Sequence, residues 1–275
     1  MTVTAPPAWE TMPALMYHSV SAVDGPLRDL AVPPERLAEQ LAALTAAGYR
    51  LVGLSEALDL LEQSLLEQSS TGKLIAVTFD DGYRDFLTQA VPALAAVGAR
   101  ATLYAAVGHL GEHADWLGAD ASAFGPMLSW DELAEAAAAG IEIGNHSLIH
   151  HPLDVLPPAE LREEIVRSHD ELEQRLQVKL RSFAYPHGYN GRRVRDAVRS
   201  AGHDNATEVG RRLHSPQEHR FAVPRLQPTP DHTGADLVAL VAGGGSPLVP
   251  KLKQLAQPGW RVVRKAARRT GRNLT

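Results

Sequence analysis

The stretch LIAVTFDDG, residues 74–82, joins an apolar run to two adjacent carboxylates, Asp80 and Asp81. Its first six residues are apolar or β-branched, which is typical of a buried strand in a parallel sheet. Two neighbouring carboxylates at the end of such a strand can both stay ionised only where a cation or hydrogen bonds compensate them. The alternative is a solvated turn, because Asp-Gly pairs are common in turns and Gly82 tolerates a tight bend. The stretch therefore predicts a buried strand that ends at a polar site or at a turn.

Strand-like and helix-like segments alternate along most of the chain on either side of this stretch. Further strands are expected at residues 13–20, 49–54, 101–106, 141–144 and 181–185. Helices are expected at residues 33–47, 84–97, 130–139, 158–176 and 191–201, with another starting at residue 55. This alternation favours an α/β fold with a parallel sheet, closed or nearly closed into a barrel.

Polar side chains follow several of the expected strands. His18 lies at the end of the first strand, Asp80 and Asp81 follow the third, and His146 and His187 follow two later ones. In βα barrels the chemistry lies at the carboxyl ends of the strands. We therefore expect these side chains to meet at one edge of the sheet.

The segment HSLIH begins at His146 and ends at His150. Residues i and i+4 share one face of a helical turn, so these two histidines are predicted to bind one metal ion. His151 follows directly, and the spacing favours His150 as the ligand. With Asp81 as a third ligand, the ion keeps open positions for water and substrate, and Asp80 is free to act as general base. The chain has no cysteine, so metal ligands must come from His, Asp and Glu.

TFDDG followed by HSxxH resembles the paired motifs of the polysaccharide deacetylase family (carbohydrate esterase family four, the NodB homology domain). The resemblance runs from about residue 12 to about residue 226. It implies a distorted (β/α) barrel of about seven parallel strands, and removal of the N-acetyl group from an amino sugar in a saccharide or glycoconjugate. It also implies Asp80 as the base and one divalent metal on Asp81, His146 and His150. Zinc is expected, with cobalt, nickel or manganese as alternatives, because such sites accept several ions.

The segment FAYPHG is similar to the family's third motif, in the form FAYPYG found in one branch. It predicts that Tyr185, Pro186 and His187 contact the substrate, with a backbone N–H of this turn in the oxyanion hole. The arginine of the usual motif is missing here. Arg225 is the expected substitute, held against Asp80 to keep that carboxylate ionised; the alternative is a surface arginine.

Two further segments extend the resemblance. LSWDEL contains Trp130 and resembles MLTWDEL of the same branch, so Trp130 is expected to pack or to line the substrate groove. LMYHS contains His18 and resembles the order found in deacetylases of poly-N-acetylglucosamine, where the general-acid motif lies at the front of the chain. That order implies His18 as the general acid. The alternative is a structural histidine at a strand end.

Charge is unevenly distributed and limits the partners. The net charge is −5, yet residues 251–275 hold eight basic residues and no acidic one. The rest of the chain is therefore strongly acidic, and no nucleic-acid partner is expected. We divide the chain into a deacetylase domain at residues 1–233 and a linker with a basic tail at residues 234–275. The tail is predicted to be either a solvated end or a peripheral contact with an acidic membrane surface or a partner.

No signal peptide or membrane-spanning run is visible, so a cytoplasmic location is expected. Two alternatives to a sugar N-deacetylase stay open. One is a deformylase or deacetylase of a lipid-linked or other small amide substrate on the same fold. The other is a non-catalytic carbohydrate-binding descendant, and the retention of Asp80, Asp81, His146 and His150 argues against it.

Overall fold

Parallel strands form the frame of the molecule. The computed structural model describes residues 11–67, 69, 72–243, 260–261 and 263–266. The strands are β1 (Ala14–Tyr17), β2 (Tyr49–Val52), β3 (Lys73–Phe79), β4 (Thr102–Ala105), β5 (Glu142–Asn145), β6 (Ser182–Ala184) and β7 (Asn205–Thr207). The helices are α1 (Pro34–Ala46), α2 (Leu54–Glu67), α3 (Val91–Ala96), α4 (Trp130–Ala138), α5 (Pro158–Leu176), α6 (Arg192–Ser200) and α7 (Gly234–Gly243).

The strands pair in the order β1-β3-β4-β5-β6-β7, and β2 also pairs with β3. Every one of these pairings is parallel. Helices separate most of the strands along the chain, as parallel connections require. The predicted α/β barrel of parallel strands is thus confirmed.

The carboxyl end of β3 lies at the edge of the sheet where the polar residues are found. β3 is buried from Leu74 to Phe79, which explains its apolar sequence. Tyr17 at the end of β1 pairs with Phe79, and the Asp80 N–H donates to the Tyr17 carbonyl at 2.9 Å. His18 and Asp80 therefore leave adjacent strands at the same edge of the sheet.

An irregular segment at residues 223–226 lies between the last and first strands. Val223 forms a parallel bridge with Thr207 of β7, and Leu226 forms one with Leu15 of β1. The segment thereby connects the two edges of the sheet. Arg225 lies on it and is fully buried.

The helix α7 packs against α1. The Gly234 N–H donates to Glu39 at 2.9 Å, and Leu237 and Val241 are buried in the main hydrophobic core. A Cβ at Gly234 would stand 2.6 Å from the Ala43 side chain, so this close approach requires glycine. Residues 234–243, which sequence analysis assigned to a linker, are therefore part of the packed fold.

The helix expected at residues 84–97 is divided. A π-helical turn spans Phe86–Ala90, and α3 follows it directly. Pro92 in the first turn of α3 has no N–H to donate, which removes one regular helical hydrogen bond at this point.

The basic tail is described in part. Arg264 is buried and pairs with Asp154, which differs from a solvated end, one of the two expectations for the tail. Arg261 and Lys265 are exposed. The other basic residues of the tail lie outside the described residues: Lys251, Lys253, Arg268, Arg269 and Arg272. Within the described part of the chain, none of the helices has the length and apolar character needed to cross a membrane.

Candidate metal and catalytic centre

Three buried side chains converge at the carboxyl edge of the sheet. Asp81 Oδ1 lies 3.3 Å from His146 Nε2 and 3.4 Å from His150 Nε2. The three candidate ligand atoms all lie within 4.8 Å of one another. Two imidazoles and a carboxylate form a set of metal ligands that leaves further positions free.

The geometry fits a metal ion. No hydrogen bond reaches Asp81 Oδ1 from any residue that the structure describes, although this atom is buried. A buried carboxylate oxygen without a donor is costly unless a cation compensates it. Ligand atoms about 2.0 to 2.1 Å from a tetrahedral ion stand about 3.3 Å apart, which matches both distances from Asp81 Oδ1.

The loop that carries the histidines is not helical. Residues 146–151 form an irregular segment after β5, and Ser147 and His150 have positive φ angles of 66° and 58°. The predicted helical turn was therefore wrong, although both rings still reach Asp81. Asp81 itself has a φ of 75°. Backbone in this region is costly for residues other than glycine and is often found at functional sites.

Glu164 of α5 holds this loop in place. One of its oxygens accepts the backbone N–H groups of Leu148 and Ile149, each at 3.0 Å. The other lies 3.1 Å from His151 Nδ1. His151 is thus paired with Glu164, and the structure places His150, as the spacing predicted, in the cluster with Asp81.

The orientation of His146 is set by a second hydrogen bond. Its Nδ1 donates to the Ala184 carbonyl at 2.8 Å, because a carbonyl can only accept. The proton is therefore on Nδ1, and Nε2 is free to bind a metal. Burial holds the pKa of His150 well below its usual range, so the His150 ring is neutral at neutral pH.

Asp80 does not share in this cluster; it pairs with Arg225. The guanidinium NH1 and NH2 groups donate to the two Asp80 oxygens at 2.6 and 2.7 Å, and NH1 also donates to Thr78 at 3.0 Å. Burial is the largest single influence and would raise the pKa of Asp80, but the Arg225 charge and hydrogen bonds, together with nearby histidine charges, outweigh it and hold that pKa at about 2. Asp80 is therefore a buried carboxylate that stays ionised at neutral pH.

His18 directly follows β1 at the same edge of the sheet and is half-buried. Its charge is close enough to lower the pKa of both Asp80 and His150. The residues after it are held by Asp85, whose Oδ2 accepts the Ser19 hydroxyl at 2.5 Å and the Val20 N–H at 2.9 Å. Asp85 thus fixes the position of the chain next to His18.

Two parts of the FAYPHG segment lie at the centre, namely the His187 side chain and the short turn Pro186–Gly188. Tyr185 is 1% exposed, and its hydroxyl donates to the Phe221 carbonyl, so its side chain belongs to the core and not to a substrate contact. Pro186 is also buried and begins a short 3-10 turn. His187 has a φ of 58°, and its ring centroid lies 4.7 Å from that of His150. Burial lowers the pKa of His187 to about 4.

Of two tryptophans, Trp130 packs between helices, which was one of its two expected roles, and Trp116 lies at the centre. Trp130 begins α4, and the Arg175 guanidinium of α5 lies 4.5 Å from its ring centroid, a contact between helices. Trp116 instead stacks on the His150 ring, with centroids 4.3 Å apart and planes 23° apart. Sequence reasoning missed Trp116, because the loop around it shows no periodic pattern or motif.

Comparison with known proteins defines the class. The family described as polysaccharide deacetylase matches residues 67–206, and the chain belongs to this family of amide-bond hydrolases. YxkH, a polysaccharide deacetylase family protein of Bacillus subtilis (strain 168), is 25% identical over 233 residues, which are 84% of this chain and 76% of YxkH.

Solved structures agree with this assignment. The structure of IcaB from Ammonifex degensii has a TM-score of 0.71 and 27% identity, and covers 84% of this chain and 97% of that one. The Streptococcus pyogenes deacetylase PplD in complex with acetate has a TM-score of 0.69 and 22% identity, and covers 84% and 98%. The second likeness supports the fold.

Proposed function

We propose that this protein is a metal-dependent N-deacetylase that acts on N-acetylated amino sugars in saccharides or glycoconjugates. The observation that carries the proposal is that two neighbouring carboxylates, Asp80 and Asp81, have different partners. Asp81 has an oxygen aimed at two imidazoles, whereas Asp80 is kept ionised by Arg225. Separate environments for two neighbouring acids are typical of separate roles in catalysis.

One metal ion is expected on Asp81, His146 and His150. Zinc suits two imidazoles and a carboxylate, and cobalt, nickel and manganese are the alternatives. When bound, such an ion lowers the pKa of water and polarises an acyl oxygen.

Asp80 is the general base of the proposed reaction. Its carboxylate takes a proton from the water that attacks the acetamide carbon. Arg225 keeps Asp80 ionised and also fixes its orientation through two hydrogen bonds. Arg225 is therefore a positioning residue that acts through Asp80.

His18 and the turn at His187 complete the proposed centre. As the C–N bond breaks, His18 donates a proton to the nitrogen, so the products are acetate and a free amine. Pro186 has no N–H, and the Gly188 N–H donates to the Tyr185 carbonyl at 2.8 Å. The His187 N–H is therefore our candidate donor to the acyl oxygen as negative charge develops on it.

Release of acetate from N-acetylglucosamine oligomers tests the proposal. Protein loaded with zinc or cobalt should release acetate, and Asp80→Asn and His146→Ala should not, whereas His151→Ala should retain activity. Metal content separates the two losses, because Asp80→Asn should still bind one ion per chain. Formate release from an N-formyl amino sugar, without acetate release from any oligomer, would favour the deformylase alternative. A protein that binds no metal would contradict the proposal.

A further inference from the structure

The described residues 260–261 and 263–266, here called the rim segment, are anchored to loops of the barrel. The Arg264 guanidinium donates to both oxygens of Asp154, at 2.7 and 2.9 Å, and the Arg264 side chain is 1% exposed. The same guanidinium lies 3.5 Å from the ring centroid of Tyr189. A buried bidentate pair with one face on an aromatic ring holds arginine in a single geometry. The rim segment therefore has one defined position.

That position adjoins the metal cluster. Asp154 follows His150 in the connection after β5, and Tyr189 follows His187 in the turn after β6. The ring centroids of Tyr189 and His187 are 6.2 Å apart, and those of His187 and His150 are 4.7 Å apart. A continuous row of rings thus connects a candidate metal ligand to the rim segment.

Trp260 presents an oriented aromatic surface at this point. Its indole N–H donates to the Tyr189 hydroxyl at 3.2 Å, while 39% of the residue stays exposed. Ile149, which directly precedes His150, is also exposed. Apolar side chains that stay exposed beside a polar site are candidates for contact with a ligand. An indole face held in one orientation suits the apolar face of a sugar ring.

We propose that the rim segment forms a second sugar subsite, in which Trp260 stacks on the residue next to the one that is deacetylated. This inference rests on the proposed function and narrows its substrate to saccharides of at least two units. Arg264 and Asp154 act through Trp260, because their ion pair holds the segment beside Tyr189. Arg261 strengthens the same anchor, since its Nε donates to the Asp154 carbonyl at 3.2 Å.

Kinetics on substrates of different length test the subsite. Trp260→Ala should lower the ratio of kcat/KM for the N-acetylglucosamine tetramer to kcat/KM for the monosaccharide by about fivefold to tenfold, mainly through KM. Trp260→Phe should restore most of the ratio, because it keeps an aromatic face. Arg264→Ala should lower the ratio in the same way. Leu66→Ala is the control, since Leu66 is an apolar side chain of α2 that is 80% exposed, and it should leave the ratio unchanged.

Calorimetric binding of the tetramer separates this inference from the proposed reaction. Tetramer affinity that falls in Trp260→Ala, in a protein that releases no acetate from any substrate, would support the subsite and refute the reaction. An unchanged length ratio and unchanged affinity in Trp260→Ala would overturn the subsite. So would an equal loss of activity on tetramer and monosaccharide, or wild-type protein that does not bind the tetramer.

Discussion

The two terminal nitrogens of Arg225 donate hydrogen bonds to the two carboxylate oxygens of Asp80, although the two residues are 145 positions apart in the chain. Neither side chain reaches solvent to any extent, at 0% and 4% exposure. Removing one partner of such a pair leaves an uncompensated buried charge. The pair is therefore a structural element as well as part of the proposed centre.

This pair should show strong thermodynamic coupling. Asp80→Ala or Arg225→Ala alone should lower the free energy of unfolding by about 3 to 5 kcal/mol, because each leaves a buried charge unpaired. The double variant should lose less than the sum of the two, with a coupling of roughly 2 kcal/mol. Urea unfolding of all four proteins measures this. Additive losses would contradict the pairing.

Metal binding should raise the melting temperature, and this increase should require His146 and His150 but not His151. Zinc at about 100 times its Kd stabilises a protein by about 2.7 kcal/mol, or very roughly 5 to 10 °C for a chain of this size. His146→Ala and His150→Ala should lose this shift, and chelator should abolish it in the wild type. His151→Ala is the matched control and should keep the shift, because His151 pairs with Glu164. A shift lost only in His151→Ala would reassign the ligand.

Gly108 should be required for metal affinity, although it binds no metal. A Cβ at this position would stand 2.8 Å from the Leu148 carbonyl and 2.9 Å from the Ile149 side chain, within the loop that ends in His150. Gly108→Ala should therefore displace that loop and weaken metal binding by about tenfold to a hundredfold. Gly191→Ala, where no atom lies within 4 Å of the added Cβ, should leave metal affinity unchanged. Equal affinities in the two variants would refute this role.

Asp85 should make stability depend on pH. Burial raises its pKa from 3.8 to about 6, against the Ser19 and Val20 hydrogen bonds that lower it. Between about pH 4 and pH 6 the folded form therefore holds a proton that the unfolded form has lost. The contribution of Asp85 to the free energy of unfolding therefore falls by roughly 3 kcal/mol as pH rises through this window.

Asp85→Asn removes this titration but keeps an acceptor oxygen for the Ser19 hydroxyl and the Val20 N–H. The variant should gain stability relative to wild type as pH rises from 4 to 7. Urea unfolding at four pH values in this range measures the difference between the two proteins. A difference that does not change with pH would show that Asp85 does not titrate as described.

The sequence by itself determined the fold class, the family and the identity of the polar residues at the strand ends. These follow from local patterns. The apolar run of β3 leads directly into Asp80 and Asp81, and residues adjacent in the chain stay adjacent in any fold. The two histidines were also found from their spacing, although the helical turn used to explain that spacing does not form.

Only the tertiary structure decided which distant groups meet. The Arg225–Asp80 contact was expected only from the family resemblance; its cause is that residues 223–226 lie between the first and last strands, and nothing local in the sequence reports that closure. The same holds for Trp116 stacked on His150 and for Arg264 buried on Asp154. Such contacts join loops far apart in the chain, and their partners become neighbours only when the parallel strands align their carboxyl ends at one edge.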